Sequence, residues 1–251
     1  MAAVVEQSSH GHEFRTPLGL WVPANAVRVN RLMGVVGLSA ALIGIGQDRR
    51  MSGKNRPVVI VVCGCPGAGK TTVASATAQR LGVSLMARFG VPLVTQDEFK
   101  NGLSLSSARA TTSGDLQLNP DFYVAGGPIS LRAQAVVVEV ARVLASLTVS
   151  FVVETSVLSD ELLDAVLISD ARVLAVHVVA REVVICERLR ARAAGGGEVA
   201  RRLAAQFERG ELKPSIFKPS NRVDTLIELD TSDHPDPNIE PIERAVLAML
   251  R

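Results

Sequence analysis

Lysine is scarce in this 251-residue chain, which has only Lys54, Lys70, Lys100, Lys213 and Lys218. Arginine supplies most of the 27 basic residues, and 25 acidic ones nearly balance them, leaving a net charge of +2. That balance lacks the strong basic excess expected of a surface that coats nucleic acid. The arginine bias, with abundant Ala and Val, fits a GC-rich bacterial genome. Cysteine is almost missing. Cys63, Cys65 and Cys186 are odd in number and without framework spacing, which argues against a disulfide scaffold and for a reducing, cytosolic compartment. Cys63-x-Cys65 is too close and too isolated for a zinc site, and His10, His12, His177 and His234 form no HExxH pattern. His177 falls inside a predicted strand and reads as a core histidine. Aromatics make up only 4%, so the core implied by 47% hydrophobic residues is built of Val, Leu, Ile and Ala.

A membrane-spanning run is also lacking. Met33 to Gly46 is apolar over 14 residues and carries four glycines. It is short of the ~20 residues a bilayer needs and poor as a helix. A signal-peptide core fits that length, but the segment before it is long, and the downstream chain reads as cytosolic machinery. Met51 precedes a polar stretch and the first clear strand, which makes it a candidate start. Residues 1–56, with Trp21, are therefore expected to be a poorly defined extension, and residues 57–251 the folded domain.

From Pro57 onward strands and helices alternate. Val58–Cys63 is a continuous β-branched run, as in a strand buried on both faces. Helix is expected over Gly69–Leu81, a strand over Val91–Thr95 and a short helix over Asp97–Leu103. Residues 104–128 read as a long polar loop. Beyond it come a helix to Leu147, a strand Val149–Val153, a helix Ser159–Ile168, a strand Val173–Val179 and a helix Glu182–Ala193. Gly195–Gly197 breaks the chain before a charged helix Glu198–Gly210, a strand Thr225–Leu229 and a closing helix Ile239–Leu250. Such alternation predicts an α/β architecture of three layers around a mostly parallel sheet of about five strands. Ligands in such folds sit beyond the carboxyl ends of the strands.

Gly64-Cys65-Pro66-Gly67-Ala68-Gly69-Lys70-Thr71 matches G-x-x-x-x-G-K-[ST] at every fixed position, between a strand and a helix. The glycines let backbone N–H groups converge on an anion, and the helix start adds its positive dipole end. Lys70 is placed to reach the β/γ-phosphates, the Thr71 hydroxyl to ligate Mg²⁺, and Thr72 to touch the α-phosphate. Cys65 stands at a variable position. It reads either as a small filler or, because nearby positive charge favours a thiolate, as a redox sensor. Asp97 lies just past the second strand, where it could orient and deprotonate an acceptor hydroxyl. It could equally cap the short helix. Glu154 closes an apolar strand, as a metal-side carboxylate does. Arg188 and Arg192 lie four apart on one helix face, with Arg190, Arg201 and Arg202 nearby.

These pieces, in this order, resemble the AAA-domain P-loop kinases of the nucleotide-kinase-like type, a group that includes gluconate kinases, chloramphenicol phosphotransferase and zeta toxins. The matching stretches are Cys63–Thr72, Val94–Leu103, Phe151–Thr155, Val178–Arg192 and Thr225–Thr231, within residues 57–251. The resemblance implies a P-loop NTPase fold with a helical lid over about 188–210 that closes on ATP through Arg188 and Arg192, and a loop at Asp230–Asp233 near the adenine. The group often carries Asp where Glu154 stands. No [NT]KxD guanine-reading motif is present, which favours ATP over GTP. The expected activity is Mg²⁺-dependent transfer of the γ-phosphoryl group of ATP to a hydroxyl of a small molecule. A polynucleotide 5′-hydroxyl kinase and a non-catalytic ATP-binding switch are the alternatives. The loop over 104–128, with Arg109, Asp121, Phe122 and Tyr123, is the expected acceptor-specificity element.

Overall fold

A computed structural model describes residues 13–15, 21–23, 56–85, 90–110, 127–195, 198–233 and 236–250. The apolar run over 33–46, the stretch over 111–126 with Asp121, Phe122 and Tyr123, and Gly196-Gly197 lie outside the described residues. The chain divides into two compact units, Met1–Ser52 and Gly53–Arg251. In the first, β1 (Glu13–Arg15) pairs antiparallel with β2 (Trp21–Pro23).

The second unit is built on five parallel strands. They are β3 (Val58–Gly64), β4 (Leu93–Thr95), β5 (Phe151–Glu154), β6 (Arg172–Val179) and β7 (Thr225–Asp230). Across the sheet their order is β4-β5-β3-β6-β7. The β-branched run of β3 occupies the centre, and all seven of its residues are buried. Its alternate residues feed two cores. Val58, Ile60 and Val62 pack with α1 (Lys70–Ser84), α5 (Glu182–Ala194), α6 (Glu198–Glu208) and α7 (Glu240–Met249). Val59, Val61 and Cys63 pack on the other face with α3 (Pro128–Ser146) and α4 (Asp160–Leu167). This two-sided burial makes the three layers. Among the described residues, no helix is long and apolar enough to cross a membrane.

One expected element is corrected. The short helix over Asp97–Leu103 is instead α2 (Gln96–Ala110), which starts directly at the end of β4 and consumes the first part of the expected loop. Asn101-Gly102 and three serines weaken its helix propensity, but α2 lies against α3, and tertiary packing overrides propensity. The chain order β3, then the outer β4, then β5 inserted between them, then β6 on the far side, makes β3 the switch point. Its carboxyl end is where a ligand crevice opens.

Candidate functional site

The Gly64–Thr71 loop caps that crevice. Gly64, Gly67 and Gly69 have φ of 145°, 89° and 95°, values that L side chains rarely adopt. Gly69 ends the loop and α1 begins at Lys70, so the free N–H groups of α1's first turn open into the crevice. Thr71 and Thr72, in that turn, are exposed. Lys70 is buried instead, and its Nζ donates to the Cys65 carbonyl at 3.2 Å, folding the side chain back along the loop. Burial pulls the Lys70 pKa below the ordinary lysine value, while the carboxylates of Glu154 and Asp97 pull it up.

Glu154 lies within β5, as its last residue, and is 3% exposed. One carboxylate oxygen, Oε2, is buried with no hydrogen-bond partner. Burial pushes its pKa up, Lys70 pulls it down, and Asp97 pushes in the same direction as burial. An orphaned buried carboxylate oxygen and an exposed Thr71 hydroxyl, both at this crevice, fit a divalent cation whose remaining ligands are phosphate oxygens and water. Among the described residues, no three His, Cys, Asp or Glu side chains gather into a protein-only metal cage.

Asp97 stands in the first turn of α2, not before it, with its side chain 68% exposed and paired to Lys100 at 3.0 Å. Its neighbour Gln96 is buried and ties three elements together. Its Nε2 donates to the Ser130 carbonyl of α3 at 3.1 Å, and its Oε1 accepts from the Thr155 hydroxyl at 3.0 Å. The Thr155 N–H donates to the Val62 carbonyl at 3.0 Å. The ends of β4, β5 and β3 are thereby held in one arrangement under the loop.

On the opposite wall, the α5 side chain of Arg188 turns inward. Nη1 donates to the Gly67 carbonyl at 3.3 Å and to the Thr231 hydroxyl at 3.0 Å, and Nη2 to the Thr231 carbonyl at 2.7 Å. Arg192, one turn on, is exposed and lies close enough to Glu154 to favour its ionised form. Arg190 faces away and pairs with Glu208 of α6 at 2.7 Å. A cleft of about 280 Å³ runs between Gly69 and Thr72, Arg188 and Arg192, and Thr231 and Pro237. His177 is 7% exposed, with Nδ1 3.5 Å from Glu228 of β7, away from this cleft. Sequence reading singles out neither Gln96 nor Ser130. Thr155 and Thr231 enter there only as parts of longer stretches, their position just past a strand being the one available signal.

The redox reading of Cys65 does not survive. Cys65 is 3% exposed, and its thiol is pushed up to about 11, because burial outweighs the opposing pull of Lys70. Burial likewise pushes Cys63 up to about 12. In the unfolded chain both thiols titrate near 9.0. Above that pH the unfolded chain gives up thiol protons that the folded chain keeps, so the thiols' contribution to folding stability falls as pH rises towards 11, while Lys70, held below its ordinary value, contributes in the opposite sense. Urea midpoints of wild type and Cys65→Ala measured at pH 8 and pH 10 isolate the thiol part, and the change between the two pH values should be less destabilising in the variant than in wild type.

The family model described as an AAA domain matches residues 59–211. No curated protein matches the chain. Among solved structures, a candidate kinase from Chloroflexus aurantiacus j-10-fl is similar with a TM-score of 0.58 at 19% identity, over 78% of this chain and 100% of that one. A gluconokinase from Sinorhizobium meliloti 1021 is similar with a TM-score of 0.42 at 20% identity, over 79% of this chain and 93% of that one. The APS kinase CysC of Mycobacterium tuberculosis, in complex with AMPPNP and APS, has a TM-score of 0.45 at 16% identity, over 79% and 99%. The first of these is a likeness of fold.

Proposed function

We propose, from the premise that this chain belongs to the AAA domain family matched over residues 59–211, that it is an ATP-dependent phosphotransferase acting on a small-molecule hydroxyl. The observation that carries this reading is the burial of both Lys70 and Glu154 near the foot of the glycine-rich loop, close enough for each to feel the other's charge, with one Glu154 oxygen left unpartnered. Two desolvated ionisable groups at one strand edge are costly unless a charged ligand completes them.

In this reading the backbone N–H groups of Gly67 and of Gly69 to Thr72, with the Lys70 ammonium, hold the triphosphate, while the Gly64 N–H donates to the Ser156 carbonyl and the Ala68 N–H to the Cys65 carbonyl. Thr71, and Glu154 through water, would hold Mg²⁺, which supplies charge neutralisation on the phosphate oxygens. Asp97, exposed at the crevice edge, takes the proton of the acceptor hydroxyl. The acceptor oxygen forms its bond to the γ-phosphorus as the bond to the β-phosphate oxygen breaks, and ADP leaves. Arg192 contributes positive charge to the transferring group. The segment 188–210 acts as lid, with Arg188 its fixed edge. Positioning and charge stabilisation account for most of the acceleration.

The test is a screen for ATP-dependent phosphorylation across a metabolite panel that includes a 5′-hydroxyl oligonucleotide, read by mass spectrometry. One phosphorylated small molecule is expected with wild type. Lys70→Met should lower its formation by about 10²–10³. Labelling of the oligonucleotide alone would move the acceptor to nucleic acid. Undiminished transfer by Lys70→Met would overturn the assignment of the loop.

A further inference from the structure

An anion cradle made of backbone has a geometric cost. In a trans peptide the N–H and C=O point in opposite directions. Each N–H aimed at a phosphate therefore aims its own carbonyl into the protein, where a buried carbonyl needs a donor. The Ala68–Gly69 peptide is the one that leads into α1, and the carbonyl of Ala68 does not join the helix ladder. Its donor comes from 163 residues away: the Thr231 hydroxyl, at 2.6 Å. Thr231 is 6% exposed and sits just past β7, and its own N–H donates to the Val179 carbonyl at 3.0 Å. The same hydroxyl oxygen accepts from Arg188 Nη1, and Arg188 also bonds the Thr231 and Gly67 carbonyls. The next carbonyl alternative for the hydroxyl proton, that of Val179, is farther, at 3.4 Å. A Cβ on Gly69 would approach Thr231 Oγ1 to 3.3 Å, so the loop and this hydroxyl are fitted closely to each other.

We propose that Thr231 is a positioning residue for the phosphate cradle: by holding the Ala68 carbonyl it keeps the Gly69 N–H turned towards the bound phosphates, and by accepting from Arg188 it fixes the arginine on the loop's outer side. Without the hydroxyl, the Ala68–Gly69 peptide has an unsatisfied buried carbonyl, and a glycine at its carboxyl side that lets it flip easily. The flipped peptide presents an oxygen to the phosphates instead of a hydrogen. Among the described residues, the hydrogen bonds of Arg188 go to neutral oxygens, and through Thr231 it orients the loop. This inference rests on the reading of Gly64–Thr71 as a triphosphate site and adds a residue from the far edge of the sheet to it.

The role makes a prediction that simple packing does not. Calorimetric affinities for AMPPNP, ADP and AMP would be compared in wild type, Thr231→Val and Thr231→Ser. Thr231→Val, which keeps the shape and removes the hydroxyl, should weaken AMPPNP and ADP by about 10-fold or more. AMP, whose single phosphate reaches least far into the cradle, should lose less than about 3-fold. Thr231→Ser should restore wild-type affinity for all three. Should Thr231→Val not fold, Thr231→Ala makes the same deletion in a smaller volume and is read in the same way. Equal losses for all three nucleotides, or wild-type affinities in the hydroxyl-less variant, would overturn the positioning role alone. Failure of wild type to bind any of them would overturn the triphosphate reading and this role with it.

Discussion

Asp97→Asn is expected to lower kcat by about 10²–10⁴ on the acceptor identified by the metabolite screen, and to leave the affinity for ATP within a few-fold of wild type. The substitution keeps the size of the side chain and a hydrogen-bonding oxygen, and it removes the negative charge and with it the capacity to take a proton. That choice separates the two readings of this position. Within the first turn Asn loses only the charge–dipole interaction, about 0.3–1 kcal/mol of stability, so a residue that merely stabilised the start of α2 would leave turnover unchanged. Asp97 is exposed and paired with Lys100 at 3.0 Å, and its charge reaches Lys70 and Glu154. A carboxylate in that field, at the rim rather than buried beneath the phosphates, can meet an acceptor arriving from solvent. Steady-state kinetics with ATP and acceptor varied separately would decide the matter. Undiminished turnover would sink the base assignment and leave Asp97 as a first-turn residue.

Gly64→Ala is expected to be more damaging still to the protein as a whole. A Cβ at this position would stand 2.2 Å from the backbone oxygen of Val178. Gly64 and Val178 are register partners on the two central strands β3 and β6, so relief requires those strands to separate. The φ of 145° adds backbone strain to the clash. At Gly67 the nearest atom to an added Cβ is the side-chain Cγ2 of Ile185 at 3.1 Å, and a side chain can shift where a strand cannot. The loss for Gly64→Ala should exceed ~4 kcal/mol, the range of severe steric disruption. Urea unfolding of the purified variant, or its recovery only in insoluble form, would register it. A variant with near-wild-type stability would contradict the tight pairing of Gly64 with Val178.

The strand-loop-helix unit around Lys70 was legible because its chemistry is contiguous. A β-branched run, three glycines and a Lys-Thr pair lie within fifteen residues, and each restricts the backbone locally. The alternation of strands and helices was legible for the same reason, and it located Asp97 and Glu154 near strand ends to within a residue or two. The length of α2 was not, because Asn101, Gly102 and the serines beyond them favour a loop locally, and only packing against α3 favours a helix. Cys65 carried two readings, a small filler and a redox thiolate, and its burial keeps the filler. Its neighbour Lys70 suggests a thiolate, yet burial, a property of the whole loop's seating on the sheet, sets the direction of its shift.

The hydrogen bonds that shape the crevice were out of reach altogether. Gln96 meets Thr155 across 59 residues and Ser130 across 34, and Thr231 meets Ala68 across 163. In one dimension these are ordinary polar residues, since nothing in a linear pattern specifies which buried carbonyl or amide each will satisfy. The amino-acid sequence by itself determined the α/β class, the phosphate-loop signature and the order of its candidate partners, since backbone freedom and hydrophobic period are local properties. Only the tertiary structure decided which carbonyls the loop turns into the protein, which groups meet them, and that Lys70 and Glu154 share one desolvated corner. Those outcomes depend on which strands become neighbours, and the pairing of β3 with β5 and β6 is set by burial on both faces of the sheet.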